Sequence, residues 1–282
     1  ALGAGYESGP PVVGPVVMKG GGPFGWEPGE WTDDTQMAIC IAEEAATGDF
    51  DLVSLGDRFI AWAREARNVG NQTRAVLSQA RNGGDLPRLA ADYHRAHPER
   101  SAGNGSLMRT AAVALVPSDD PARLAAEVSA LTHADPRAVD ACILWTLAVR
   151  RSMEAGELVA LEECLDALAS ERRDDWAGII EQAEVEPPSH FVPNGYVVTA
   201  LQAAWSSIVH TRQYDDPFGV ALEAAVSIGD DTDTIAAIAG SLLGAAYGAA
   251  VIDPRWLEVL HGWPGLDAEG LRSLARKAAG VG

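Results

Sequence analysis

Apolar residues recur at three- and four-residue intervals along most of this chain, and no stretch shows the sustained alternation of a half-buried strand. The spacing predicts helices over 34–46, 52–67, 72–80, 107–116, 121–131, 137–155, 158–169, 195–209, 216–226, 231–250 and 266–279. The second of these places Leu52, Leu55, Phe59, Ile60, Trp62 and Ala63 on one face. The helix at 121 opens with a first-turn proline, where the missing N–H costs nothing. Residues 1–31 are rich in Gly and Pro and read as loop, as does Pro187-Pro188-Ser189-His190, while Thr132-His133-Ala134-Asp135-Pro136 punctuates two helices. Gly240, Gly244 and Gly248 fall every fourth residue and predict a groove that another helix backbone approaches. Trp62, Trp145 and Trp205 read as core. No fixed period repeats, and no linker divides the chain, so residues 1–282 are expected to form one compact, all-α, many-helix domain.

Composition sharpens this picture only in part. Ala dominates and β-branched runs are few, which favours helix. Hydrophobic residues make up 47% of 282, enough for a sizeable core. The net charge of −19 repels phosphate backbones and anionic membranes, so no nucleic acid partner and no membrane association are expected. Three scattered cysteines give no disulfide framework and fit a reducing, cytoplasmic setting. No uninterrupted apolar run reaches membrane-spanning length, and no signal peptide is visible. The chain opens on Ala1-Leu2-Gly3 without Met, so an upstream segment is expected.

The candidate chemistry sits in two acidic strings, Trp31-Thr32-Asp33-Asp34-Thr35 and Gly229-Asp230-Asp231-Thr232-Asp233-Thr234. Each follows a loop and opens an apolar helical run. Asp and Thr are favoured helix caps, which is the ordinary reading of one such string. Three aspartates within four residues at the mouth of an all-apolar helix are harder to explain that way, because crowded like charges repel unless a cation compensates them. Carboxylates and threonine hydroxyls are hard donors suited to Mg²⁺, Mn²⁺ or Ca²⁺, and no Cys or His stands at zinc-ligand spacing. The two strings therefore read as halves of one metal site.

Together with Gly103-Asn104-Gly105-Ser106-Leu107-Met108-Arg109, Thr132-His133-Ala134-Asp135 and Gly195-Tyr196-Val197-Val198, these strings resemble the ADP-ribosylglycohydrolase family, which includes the dinitrogenase reductase-activating glycohydrolases. The likeness runs in order through nearly the whole chain, and Ala1–Glu7 is similar to the tail of the family's opening helix. The resemblance implies an orthogonal bundle of helices around a binuclear site of two divalent cations, Mg²⁺ or Mn²⁺. It implies Thr32, Asp33, Asp34, Asp231, Asp233 and Thr234 as metal ligands, with Asp230 left as helix cap. It also implies cleavage of the glycosidic bond between ADP-ribose and a protein side chain, arginine being the leading linkage.

Such cleavage passes through an oxocarbenium-like state, which a held water and a proton-carrying carboxylate assist. Glu7, Asp33 and Asp233 are the expected catalytic carboxylates. Asn68 stands where many bacterial relatives carry Asp, and an amide cannot act as a base. It is expected to contact substrate, as are His133, through ribose or phosphate, and Tyr196, stacked on adenine. Gly103, Asn104, Gly105 and Ser106 are expected to cradle the diphosphate with backbone N–H groups. The expected partners are ADP-ribose and an ADP-ribosylated protein or peptide, met by a monomer. Three alternatives stand beside this reading. One is a family member that binds ADP-ribose without cleaving it. The second is a purely structural descendant of the fold. The third is a hydrolase of a different nucleoside or ADP-ribosyl linkage: serine, a nucleobase or a small molecule.

Overall fold

A computed structural model describes residues 1–281. Its thirteen α-helices are α1 (Asp33–Ala45), α2 (Leu52–Glu65), α3 (Asn71–Leu77), α4 (Leu86–Ala96), α5 (Leu107–Thr110), α6 (Pro121–Ala130), α7 (Pro136–Ala155), α8 (Ser170–Val185), α9 (Val197–Val209), α10 (Pro217–Ser227), α11 (Thr232–Tyr247), α12 (Pro254–Val259) and α13 (Ala268–Ala278). The all-α expectation holds. The one sheet among the described residues pairs β1 (His261–Gly262) with β2 (Leu266–Asp267), too short for any alternation to register in the sequence.

Helices α7 and α11 form the centre. Helix α7 packs on α5, α6, α9 and α11, and α11 also packs on α9 and α10. The sequence supports this placement, because α7 buries Ala138, Ala141, Leu144, Trp145 and Ala148, and α11 buries Ile235, Ile238, Ala239 and Leu242. The three tryptophans read as core are buried. A separate small cluster of Ala42, Ala45, Val116 and Ala278 docks α13 on α1.

Several expected boundaries move for physical reasons. Helix α4 falls where none was expected, because Pro87 resembles a breaker but occupies the first turn, ahead of the buried Leu89 and Ala90. Helix α8 is missed because only Trp176, Ile180 and Ala183 are buried in a largely charged run. It is held to α7 by the buried Asp140, which accepts from Arg172 Nε at 2.6 Å and Trp176 Nε1 at 3.0 Å. Residues 161–167 form a 3₁₀ turn in place of the expected amphipathic α-helix, and their buried Leu161 and Cys164 are three apart, as a three-residue turn requires. The helix expected over 107–116 also divides, into α5 and the 3₁₀ turn Ala111–Leu115.

The glycine groove on α11 is corrected. The side chain of Leu222 lies nearest Gly240, nothing approaches the Cβ position of Gly244, and Gly248 ends the helix at φ 76°. Asp230 is not a cap either. It sits at φ 61°, exposed, one residue before the N-cap position, which Asp231 occupies without a side-chain capping bond.

Candidate metal centre and substrate cavity

Three segments meet at the N-terminus of α11. The first is the opening loop. Gly3 lies so close to α11 that a Cβ there would stand 2.6 Å from the Cα and N of Asp233, so only glycine fits. The Gly3 carbonyl accepts from Thr232 Oγ1 at 2.9 Å. Further along, Ser8 N–H donates to the Asp230 carbonyl and Asp230 N–H to the Gly9 carbonyl, at 2.7 and 2.9 Å. These bonds seat Glu7 over the acidic cluster.

The second segment is the N-terminus of α1. Thr32 is extended and leaves the cap position open, because its Oγ1 donates to Asp34 Oδ2 at 2.7 Å. The residue before it is fixed by the hairpin, since Trp31 N–H donates to the His261 carbonyl and Trp31 Nε1 to the Trp263 carbonyl. The third segment is the α11 terminus itself. Asp231 accepts from Asn104 Nδ2 at 2.7 Å and donates its backbone N–H to Asn194 Oδ1 at 3.0 Å.

Asp33, Asp34 and Asp233 thereby come together from opposite ends of the chain, each with a carboxylate oxygen within 4.8 Å of the others. All three are buried. Burial, then mutual repulsion, raises their carboxyls and that of Asp231: Asp34, Asp231 and Asp233 to about 6, and Asp33 well above the ordinary range. Glu7 is pushed up to about 8 by burial, followed by the charges of Asp233, Asp231 and Asp34. Asp34 Oδ1, Asp233 Oδ1 and Glu7 Oε2 are buried without a hydrogen-bond partner among the described residues. Hard oxygens that repel one another and lack donors are what a divalent cation satisfies, so the cluster can hold a metal ion.

A cavity of about 480 Å³ opens onto this cluster. Of the residues expected to act there, Glu7, Asn68, Gly103, Asn104, Gly105, His133, Asp33, Asp231, Asp233 and Thr234 line it. Asn68 Nδ2 donates to Asp33 Oδ1 at 3.1 Å. Asn104 bridges the glycine loop to Asp231 and to the Asn194 carbonyl, which explains its burial. Thr32 and Asp34 are buried beside Asp33 and do not line it themselves. The Ser106 side chain is turned inward, its Oγ accepting from Ser129 Oγ at 3.0 Å. Tyr196 lines a second cavity of about 620 Å³, in which its hydroxyl accepts from Arg137. Arg100, Gly103 and Gly195 border both cavities.

Sequence reading gave no role to Arg100, Gln72, Asn194 or Arg109, although Arg109 closes the glycine-loop string. Arg100 and Asn194 belong to loops without periodicity. Gln72 sits in an ordinary helical string. Arg109 is fully buried with no carboxylate partner among the described residues; it donates to the Gly105 and Val128 carbonyls and to Thr132 Oγ1, beneath the Phe59 ring. An arginine beside an apolar helix gave no sign of that depth. His133 is held near 3 by burial, with Arg109 adding to the effect, and is therefore neutral at physiological pH.

The family model described as ADP-ribosylglycohydrolase matches residues 1–282. The ADP-ribosylarginine hydrolase Tri1 of Pseudomonas putida (strain GB-1) is 31% identical over 255 residues, covering 86% of this chain and 65% of that protein. Tri1 of Serratia proteamaculans (strain 568) is 31% identical over 264 residues, covering 86% and 66%. This chain thus spans just under two thirds of the length of both. The ADP-ribosyl-[dinitrogen reductase] glycohydrolase of Rhodospirillum rubrum is 30% identical over 253 residues, covering 86% and 78%. Among solved structures, a chain of an "ADP-ribosylglycohydrolase-related protein complex" superposes with a TM-score of 0.75 at 31% identity, covering all of this chain and 93% of its own.

Proposed function

This chain belongs to the ADP-ribosylglycohydrolase family, and on that premise we propose that it is a divalent-cation-dependent hydrolase that releases ADP-ribose from a modified protein side chain. Arginine is the leading linkage, since the relatives named for a linkage at about 31% identity are arginine hydrolases. The observation that carries the reading is the buried Asp33, Asp34 and Asp233 cluster, with two carboxylate oxygens unpartnered, at the floor of a cavity large enough for a nucleotide sugar.

Thr32, Asp33, Asp34, Asp231, Asp233 and Thr234 would hold two cations, Mg²⁺ or Mn²⁺. When bound, such ions neutralise the carboxylates, orient sugar hydroxyls and acidify a water. The remaining work belongs to side chains. Glu7, whose Oε2 makes no hydrogen bond among the described residues, is placed to take the proton of a held water or to pass one to a leaving group. Asn68 fixes one oxygen of Asp33 with its amide and takes no part as a base. The backbone N–H groups of Gly103, Gly105 and Ser106 make no other hydrogen bond among the described residues, which suits them to a diphosphate. Tyr196, in the adjoining cavity, offers a face for adenine. We take residues 1–282 as one domain, acting as a monomer in the cytoplasm on ADP-ribosylated protein or peptide. The three buried, unpaired cysteines accord with a reducing compartment.

Release of free ADP-ribose from arginine- and serine-linked ADP-ribosyl peptides, with Mg²⁺ or Mn²⁺ and with chelator, tests the proposal. Metal-dependent release from the arginine peptide is expected, and D33A and D233A should each abolish it. Full activity in both variants would sink the metal assignment. Asn68 favours a second reading, a binder that retains ADP-ribose without turnover. Tight binding with no release from any linkage would establish that reading instead.

A further inference from the structure

The hydrogen bonds around Arg109 fix a proton on the cavity wall. A guanidinium can only donate, so in its 2.8 Å bond to Arg109 Nη2 the hydroxyl oxygen of Thr132 is the acceptor. The remaining neighbour of that oxygen is His133 Nδ1, also at 2.8 Å. The Thr132 proton therefore points to Nδ1, and the ring proton of the neutral imidazole resides on Nε2. The other tautomer would crowd two donors onto one oxygen and leave a buried hydroxyl proton without an acceptor.

Nε2 makes no hydrogen bond among the described residues. It faces the glycine loop, where Cβ atoms on Gly103 and Gly105 would lie 3.5 and 3.2 Å from it. Gln72 stands beside it. The Gln72 amide nitrogen donates to the Thr132 carbonyl at 3.1 Å, which fixes the side chain with Oε1 unpartnered and buried. That oxygen lies 3.9 Å from the same point above Gly103. A donor on a residue 2% exposed and an acceptor on one 8% exposed thus flank one spot in the cavity wall. A hydroxyl satisfies both at once, by accepting from one and donating to the other. An ionised phosphate oxygen would satisfy only His133 and would meet the lone pairs of Gln72.

We propose that Arg109 and Thr132 are positioning residues that hold His133 as an Nε2–H donor, and that His133 and Gln72 together bind one sugar hydroxyl of the substrate. This rests on ADP-ribose being the ligand, and it assigns His133 to ribose in preference to phosphate. The same guanidinium that sets the tautomer holds the Gly105 carbonyl at 3.1 Å, so loop and imidazole are fixed as one unit.

Nitrogen NMR of the imidazole rings, with Mg²⁺ present and the His133 signals assigned by substitution, reads the tautomer directly. The Nε2–H form is expected in the wild-type protein and in T132S; in T132V the proton should stay on Nε2 while the Nδ1 resonance moves, because that nitrogen loses its hydrogen-bond donor. An Nδ1–H wild type, or an Nδ1 resonance in T132V unmoved from wild type, overturns the relay. Calorimetry with ADP-ribose and its monodeoxy forms tests the contact. One deoxy form should bind roughly tenfold more weakly than ADP-ribose, as the loss of a paired buried hydroxyl implies, and Q72M should erase that preference. Equal affinity for every deoxy form overturns the contact. Should the wild-type protein bind no ADP-ribose at all, the functional reading falls and the hydroxyl contact with it, while the NMR result still decides the relay. Should T132V fail to fold, the wild-type tautomer and Q72M remain decisive.

Discussion

Asn68 shows how much one atom can change in a crowded acidic site. Its amide donates to Asp33 Oδ1 at 3.1 Å, so it supplies one of the few donors facing the cluster. In N68D that donor is replaced by a further carboxylate. Without cation the variant should melt below wild type at neutral pH, and it should bind Mn²⁺ more tightly, roughly tenfold, equivalent to ~1.4 kcal/mol. Titration calorimetry beside thermal melts in chelator would check both, and unchanged Mn²⁺ affinity would place residue 68 beyond the cation's reach. The acidic residues were legible in the sequence because each half is contiguous and chemically loud. The Arg109–Thr132–His133 chain was not, since it depends on which lone pair faces which proton. Ser106 could be noted as a loop serine, but only coordinates reveal that its hydroxyl turns away from the cavity towards Ser129.

At the scale of elements, the site depends on a loop pressed against a helix end. A methyl group on Gly3 would overlap the α11 backbone at Asp233, an overpacking that costs about 1–3 kcal/mol. G3A should lower the denaturant midpoint by a corresponding amount and lose cation affinity in parallel, because relieving the overlap moves the segment that carries Glu7. Stability lost with cation affinity intact would show that the loop and the cluster are independent. Helix α8 offers a contrast. Its attachment relies on Asp140, whose removal leaves Trp176 Nε1 without an acceptor and Arg172 without its partner. D140A should cost about 2–4 kcal/mol in urea unfolding, the lower part of that range if Arg172 turns to solvent. The central helices could be read from apolar spacing. Helix α8 could not, because its short stripe of Trp176, Ile180 and Ala183 carries too little hydrophobic contrast, and its tie to α7 is a long-range polar contact.

Across the whole molecule, the raised carboxyls make stability depend on pH in a direction that can be worked out. In the folded chain Asp34, Asp231 and Asp233 titrate near 6 and Glu7 near 8, above the values of about 4 for unfolded carboxyls. Between about pH 4 and about pH 8 the folded state therefore holds more protons than the unfolded state. Stability of the cation-free protein must fall as pH rises through that window. Thermal melts in chelator at about pH 5 and about pH 8 should show the higher midpoint at the lower pH. Mg²⁺ should add most at the higher pH, by ~2.7 kcal/mol when its concentration is a hundredfold above its Kd. A midpoint independent of both pH and Mg²⁺ would contradict the mutual repulsion on which the site is built.

The two halves of the acidic cluster are separated by 200 positions, from Asp33 to Asp233. During synthesis at about 5–20 residues per second, the first pair of aspartates emerges roughly 10–40 seconds before the third can join it. For that interval the nascent chain has the start of α1 without α11, so the cluster cannot close until the N-terminus of α11 has emerged. The ion that suits the finished site is thus a late arrival, and a chain truncated before residue 231 would bear the first acidic string with nothing to complete it.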